Sequence, residues 1–211
     1  MPDILQLFLL ALLGSIIALL GGVIFLFKES WSKFLSTNSI PFAAGVLITV
    51  SILGLLPEAV ELLGESTFLI VLITFFAAYL FENLFFEVHH HEEHKHSRSY
   101  KSAVPLIIVG DTIHNFIDGV AIGASFLVNP GLGLITAIST FLHEVPHEIG
   151  DFGILLKAAW QKKNIILVNV LSASATIVGA FTLFAFPENP ALLGTLLAIS
   201  SGMFLYLGAS D

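Results

Sequence analysis

Apolar residues run along this chain in long blocks separated by short polar or turn segments. Seven blocks stand out, at 4–27, 40–60, 68–86, 104–128, 132–159, 165–186 and 191–209. Each has about the ~20 apolar residues a helix needs to cross a bilayer's hydrocarbon core. The pattern predicts an all-α fold, a polytopic transmembrane helical bundle with seven spans. Loops between most blocks are short, which predicts antiparallel neighbours, a single transmembrane domain over 1–211 and no separate soluble domain. The first block is too long for a signal-peptide core and follows no basic segment, so it is expected to be a retained span.

Composition agrees with that solvent. Hydrophobic residues make up 56% of the chain and charged residues 11%, and the mean hydropathy is +0.93, far from the balance of a soluble domain. The formal net charge of −8 leaves no basic patch to neutralise phosphates, which excludes nucleic acid as a partner. All eight basic residues fall in alternate connections: Lys28 and Lys33, then Lys95, Arg98 and Lys101, then Lys157, Lys162 and Lys163. Those connections are expected in the cytoplasm. Segments 61–67, 129–131 and 188–190 carry no Lys or Arg and are expected outside with the N-terminus, the plasma membrane being the expected location.

One connection differs from the rest. The loop expected at 87–101 begins Glu87-Val-His-His-His-Glu-Glu-His-Lys-His96, with five imidazoles and three carboxylates in ten residues. That composition suits a solvated cytoplasmic loop and also suits capture or sensing of a metal ion. Unchanged uptake at every metal concentration after deletion of His89–His96 would rule out the second role.

Chemistry concentrates in two spans. Span four reads Asp111-Thr-Ile-His114-Asn115-Phe-Ile-Asp118-Gly, and span five His143-Glu144-Val-Pro146-His147-Glu148-Ile-Gly-Asp151. An ionisable group at bilayer depth costs roughly 2.5–3.5 kcal/mol on insertion scales, so it needs a partner or a task. At about 100° per residue, Asp111, His114, Asn115 and Asp118 share one helix face, as do His143, Glu144, His147 and Asp151 on the next span. His114 with Asp118 and His143 with His147 are i,i+4 pairs, the spacing at which two groups grip one cation. Two facing pairs predict a four-ligand cage.

A polar network joining helices is the plainer reading, and it suits a single outlier such as Glu82. Nine ionisable or amide groups in two adjacent spans exceed what helix association requires. Imidazole mixed with carboxylate suits Zn²⁺ and its neighbours Fe²⁺, Mn²⁺, Co²⁺ and Ni²⁺, whereas Mg²⁺ and Ca²⁺ prefer oxygen alone. With no Cys and only Met1 and Met203 as thioethers, soft-ligand copper sites, disulfides and thiol chemistry are excluded. No organic cofactor is expected. His143-Glu144-Val-Pro-His147 also matches H-E-x-x-H, so an intramembrane zinc metalloprotease is the enzyme alternative. Pro146 counts against it by interrupting the helix, though the freed Leu142 carbonyl is then a candidate ligand. A metal-sensing receptor without transport is a third class. Gly119 and Gly123 predict close approach of another helix.

The two motifs resemble those of the ZIP (Zrt/Irt-like) metal transporters: His114-Asn-Phe-Ile-Asp118-Gly-Val-Ala-Ile-Gly, and His143-Glu-Val-Pro-His147-Glu-Ile-Gly-Asp151-Phe, the latter similar to the LIV-1 branch. The resemblance implies eight helices, with inverted repeats of three around helices four and five, and a binuclear metal site between that pair. It places His114, Asn115, Asp118, His143, Glu144 and His147 at metal positions, with Glu148 and Asp151 as further branch-motif residues. It also implies Zn²⁺ as transported substrate, moving into the cytoplasm, and a non-enzyme. Leu55-Leu-Pro-Glu58-Ala fits a family stretch in span two, but Gly54 stands where a His is common, so no ligand is expected there. The chain as given ends at Ser210-Asp211, after span seven.

The expected route runs from Glu58, Glu61 and Glu65 at the outer face, through the mid-membrane site, to Asp111 and Asp151 in the cytoplasmic half. Alternating access is expected of so strongly liganded a site. Acid should weaken metal binding, because imidazole binds metal unprotonated. Assembly as a homodimer is left open.

Overall fold

The computed structural model describes residues 3–27, 29–86, 98–183 and 189–210. Among these residues every regular element is helical: α1 (Ile4–Leu13), α2 (Leu19–Phe27), α3 (Glu29–Val50), a π-helical turn (Ser51–Leu55), α4 (Leu56–Leu63), α5 (Ser66–Phe86), α6 (Arg98–Val128), α7 (Pro130–Lys157), α8 (Lys162–Thr182) and α9 (Pro190–Ser210). The histidine-rich stretch 87–97 lies outside the described residues, and 98–101, expected as loop, open α6.

The chain is a helical membrane bundle. Among the described residues, four segments are long and apolar enough to cross a membrane: Ile40–Leu63, Ile107–Val128, Lys162–Thr182 and Pro190–Ser210. α7 has the length, at 28 residues, but its His143–Asp151 stretch makes it less apolar. Large apolar side chains turn outward, among them Leu53 on the π turn, Leu69, Ile73 and Phe76 on α5, and Leu167, Leu171 and Val178 on α8. Outward apolar faces are what lipid demands of a bundle whose polar groups lie inside.

Two expected spans are interrupted. The first breaks between α1 and α2 over residues 14–18, where Ser15 Oγ donates to the Ala11 carbonyl at 2.6 Å and the Ile17 N–H reaches the Leu12 carbonyl. Gly14 sits at this break, and a Cβ there would press on Ile122 of α6 and Thr140 of α7. The second span widens into the π turn, which the Leu56 N–H closes on the Ser51 carbonyl, and Pro57 then supplies no N–H for a regular ladder. Gly54 in that turn packs on Leu132 of α7, whose terminal methyl would have to move to admit a Cβ.

α6 is the central helix, packed against α7, α8 and α9. Its closest neighbour is α8: a Cβ on Gly119 would collide with the Thr176 carbonyl, one on Gly179 with that of Phe116, and one on Gly123 would come within 2.6 Å of the Ala180 carbonyl. α6 reverses into α7 through one residue. Asn129 caps α7 by accepting the N–H of Gly131 at 2.8 Å and of Leu132 at 3.3 Å, and Pro130 takes the first helical position, where a missing N–H does no harm. Three apolar clusters surround this hairpin. Leu47, Leu55, Ala121, Leu197 and Phe204 fill one, Leu19, Phe152, Leu155 and Ile165 a second, and Leu7, Ile122, Phe126 and Ala137 a third.

Candidate metal centre

The single-residue reversal at Asn129 fixes the register of the site. His114 stands fifteen residues before Asn129, while His143 and Glu144 stand fourteen and fifteen after it. At 1.5 Å per residue all three lie about 21–23 Å from the turn. Asp111 and His147 stand eighteen residues away on either side, and Glu148 nineteen, one turn deeper. Polar faces legible on separate helices therefore meet at matching depths.

In the upper layer His114 Nε2 lies 3.3 Å from His143 Nε2, 3.6 Å from Asp118 Oδ2 and 3.5 Å from Glu144 Oε2, and His143 Nε2 lies 3.1 Å from Asp118 Oδ2. Ligand atoms ~2.0–2.1 Å from a tetrahedral zinc are separated from one another by about 3.3–3.5 Å. Four of the six spacings among these ligand atoms, at 3.1–3.6 Å, are close to the edges of such a tetrahedron. His143 Nδ1 meets the Ser139 carbonyl at 3.1 Å; a carbonyl only accepts, so Nδ1 carries a proton, and in the neutral ring Nε2 turns its lone pair to the cluster. The Phe204 ring, 5.8 Å from that of His143, closes one side.

Burial sharpens the electrostatics. Glu144 is 0% exposed and Asp118 1%, and both oxygens of Glu144 and Oδ2 of Asp118 lack a hydrogen-bond partner among the described residues. Unpartnered buried carboxylates are costly by several kcal/mol each unless a cation meets them. Between residues 102 and 156 the sequence holds five carboxylates and no Lys or Arg, so that stretch of α6 and α7 supplies no permanent cation of its own.

Deeper, two further groups place ligand atoms within 4.8 Å of one another: Asp111 with Glu144 and Glu148, and Asp111 with His147 and Asp151. His147 Nδ1 is 3.9 Å from Asp111 Oδ1, and its ring stacks on His114 at 4.9 Å. The expected i,i+4 pairs thus fare differently. His114 and Asp118 converge on the upper cluster, whereas His143 and His147 separate into different layers. Asn115 turns to Asp111. Its Nδ2 donates to Asp111 Oδ1 at 2.9 Å and to the Asp111 carbonyl at 3.1 Å, and its Oδ1 accepts from Thr176 Oγ1 at 2.9 Å.

Thr176 on α8 went unnoticed in the sequence, as did the Ser139 carbonyl. A lone Thr in an apolar span carries no signal, and a backbone acceptor carries none at all. Gly179, three residues on, marks the close approach of α8 that brings Thr176 to Asn115.

A family model described as ZIP Zinc transporter matches residues 89–211, more than half of the chain and the whole of both motif helices. The chain belongs to the ZIP zinc transporter family. The LIV-1-like branch read from the α7 motif holds with it. Among curated relatives, zinc transporter ZIP10 of Mus musculus is 44% identical over 109 residues, covering 50% of this chain and 13% of that protein. Zinc transporter foi of Drosophila melanogaster is 39% identical over 106 residues, covering 50% and 15%, and zinc transporter ZIP6 of Homo sapiens 40% over 109 residues, covering 50% and 14%. The matched stretch therefore spans about one-seventh of these relatives' length. No solved structure matches the chain.

Proposed function

We propose that this ZIP-family chain carries a divalent transition metal, zinc foremost, through the membrane into the cytoplasm by way of the α6–α7 seam. The observation that carries the proposal is the convergence inside the bundle of His114 Nε2, His143 Nε2, Asp118 Oδ2 and Glu144 Oε2, four of whose spacings are 3.1–3.6 Å. Fe²⁺, Mn²⁺ and Cd²⁺ are the other cargoes to which such a site is open. Glu58 and Glu61 on α4, and Glu65 in the turn after it, give the ion a negative approach from outside. The upper cluster strips its water, and Asp111, His147 and Asp151 take it one and two turns deeper. Site residues in this reading are Asp111, His114, Asn115, Asp118, His143, Glu144, His147, Glu148 and Asp151.

The rest of the proposal is one transmembrane domain over 1–211 with seven spans, in the plasma membrane, N-terminus outside and residues 87–101 on the cytoplasmic side. The metalloprotease reading requires His143 and His147 on one zinc with Glu144 free as a base. The separation of the two histidines, and the position of Glu144 among the ligands, weigh against it.

Liposomes holding a zinc dye and the chain test the proposal. Wild type is expected to admit Zn²⁺, and His143→Ala to admit essentially none. No flux, or flux indifferent to the substitution, would overturn it; bilayer peptide cleavage needing Glu144 would put the protease in its place.

A further inference from the structure

Asn115 and Thr176 are both 0% exposed, and the Asn115 amide is committed on both sides. Its Nδ2 gives protons to Asp111 Oδ1 at 2.9 Å and to the Asp111 carbonyl at 3.1 Å, while its Oδ1 accepts from Thr176 Oγ1 at 2.9 Å. The surroundings decide this orientation. Turned over, the amide would set its oxygen against a backbone carbonyl and a carboxylate, neither of which has a proton to give. Helical spacing puts Asn115 on the same face as Asp111, His114 and Asp118. The one atom of its side chain able to ligate a cation nevertheless points to α8.

We infer that Thr176 is a positioning residue whose hydroxyl latches the Asn115 oxygen away from the metal route, so that the ion meets the Asp111 carboxylate without a second oxygen from Asn115. This rests on the reading of the α6–α7 seam as that route. Asn115 Nδ2 stands 2.9 Å from Asp111 Oδ1, the separation of neighbouring oxygens that share one cation at ~2.0–2.1 Å. An amide turned over in place would therefore add its oxygen to the ligands of an ion at Asp111. Loss of the Thr176 hydroxyl favours that turn, because a buried amide oxygen without a donor is costly and a cation satisfies it. The latch keeps one ligand off an ion that has to leave. Contacts that do not involve the Thr176 side chain hold α8 in place for this task. Its backbone meets α6 at Gly119, Gly123 and Gly179, and Ser172 Oγ lies 3.1 Å from Thr112 Oγ1.

The test uses the full chain in detergent micelles, with ¹³C in its asparagine carboxamides, saturated with Zn²⁺ under infrared difference spectroscopy. Ligation through a carboxamide oxygen lowers its C=O stretch, and Asn115→Ala identifies the band that belongs to Asn115. Wild type is expected to bind Zn²⁺ with no downward shift of that band. Thr176→Val and Thr176→Ala should each show the shift and retain Zn²⁺ about tenfold longer against excess chelator, the lower end of effects exerted from behind a ligand. Thr176→Ser keeps the hydroxyl and should match wild type in both readouts. With Asn115→Ala already present, Thr176→Val should change nothing further, since it acts through Asn115. A shifted band in wild type, no shift in either variant lacking the hydroxyl, or Thr176→Ser behaving like Thr176→Val would overturn the inference. So would faster loss of Zn²⁺ from Thr176→Val, the mark of a merely structural role. A wild type that binds no Zn²⁺ would defeat the metal reading and this inference with it, whereas the expected bands without liposome flux would defeat transport alone.

Discussion

His143 is steered from behind. Its Nδ1 is tied to the carbonyl one turn back at Ser139, which leaves Nε2 3.1 Å from Asp118 and 3.3 Å from His114. His147, on the same stripe of α7, has a side chain 40% exposed and pairs with Asp111 instead. Removing a ligand of the upper cluster should therefore differ from removing His147. With one equivalent of Zn²⁺ in micelles, Asp118→Ala is expected to weaken binding beyond the roughly 10–100-fold typical of an outer-shell change. His147→Ala is expected to stay within about tenfold of wild type. Equal losses in a calorimetric titration would place both on one ion and return the H-E-x-x-H reading to contention. At this scale the sequence was legible in residue type and angle: ionisable groups inside apolar spans and their helical spacing marked one polar face on each of α6 and α7. It could not say that Asn115 turns to Asp111, because an amide's direction depends on Thr176 from a helix 61 residues further along.

Glycine sets how closely α6 and α8 approach, and that approach brings Thr176 to the site. Gly119→Ala puts a methyl into the Thr176 carbonyl, a backbone atom that cannot turn aside, and overpacking of this kind costs about 1–3 kcal/mol. Gly110 on the same helix meets nothing within 4 Å, so Gly110→Ala serves as the control. Thermal unfolding in micelles is expected to show Gly119→Ala clearly destabilised and Gly110→Ala close to wild type; equal melting would mean that α6 and α8 do not pack this tightly. Block length and hydropathy foretold most elements, since 104–128, 132–159 and 191–209 each became one long helix. They did not foretell the break at residues 14–18 or the π turn at Ser51–Leu55. Both depend on contacts with α6, α7 or α9, such as the Ser51 hydroxyl bonding to Ser201 at 2.8 Å, and hydropathy averages such local contacts away.

For the whole molecule, the distribution of Lys and Arg makes a claim about sidedness that a cysteine-free chain is well suited to test. Glu65, in the turn between α4 and α5, and Lys163, at the start of α8, lie at opposite ends of the bundle by the alternation of helices. In intact cells an impermeant maleimide is expected to label Glu65→Cys, and to label Lys163→Cys only after permeabilisation. The reverse order would invert the proposed direction of transport without disturbing the metal centre, because the α6–α7 register does not depend on which face is outside.

X-ray absorption at the zinc edge, on the chain loaded with one equivalent of Zn²⁺, tests the metal centre most directly. Two imidazole nitrogens and two carboxylate oxygens at about 2.0–2.1 Å, with imidazole scattering from two rings, are the expected first shell. A shell of oxygen alone, or one with scattering from a single imidazole, would contradict a cation held by His114, Asp118, His143 and Glu144.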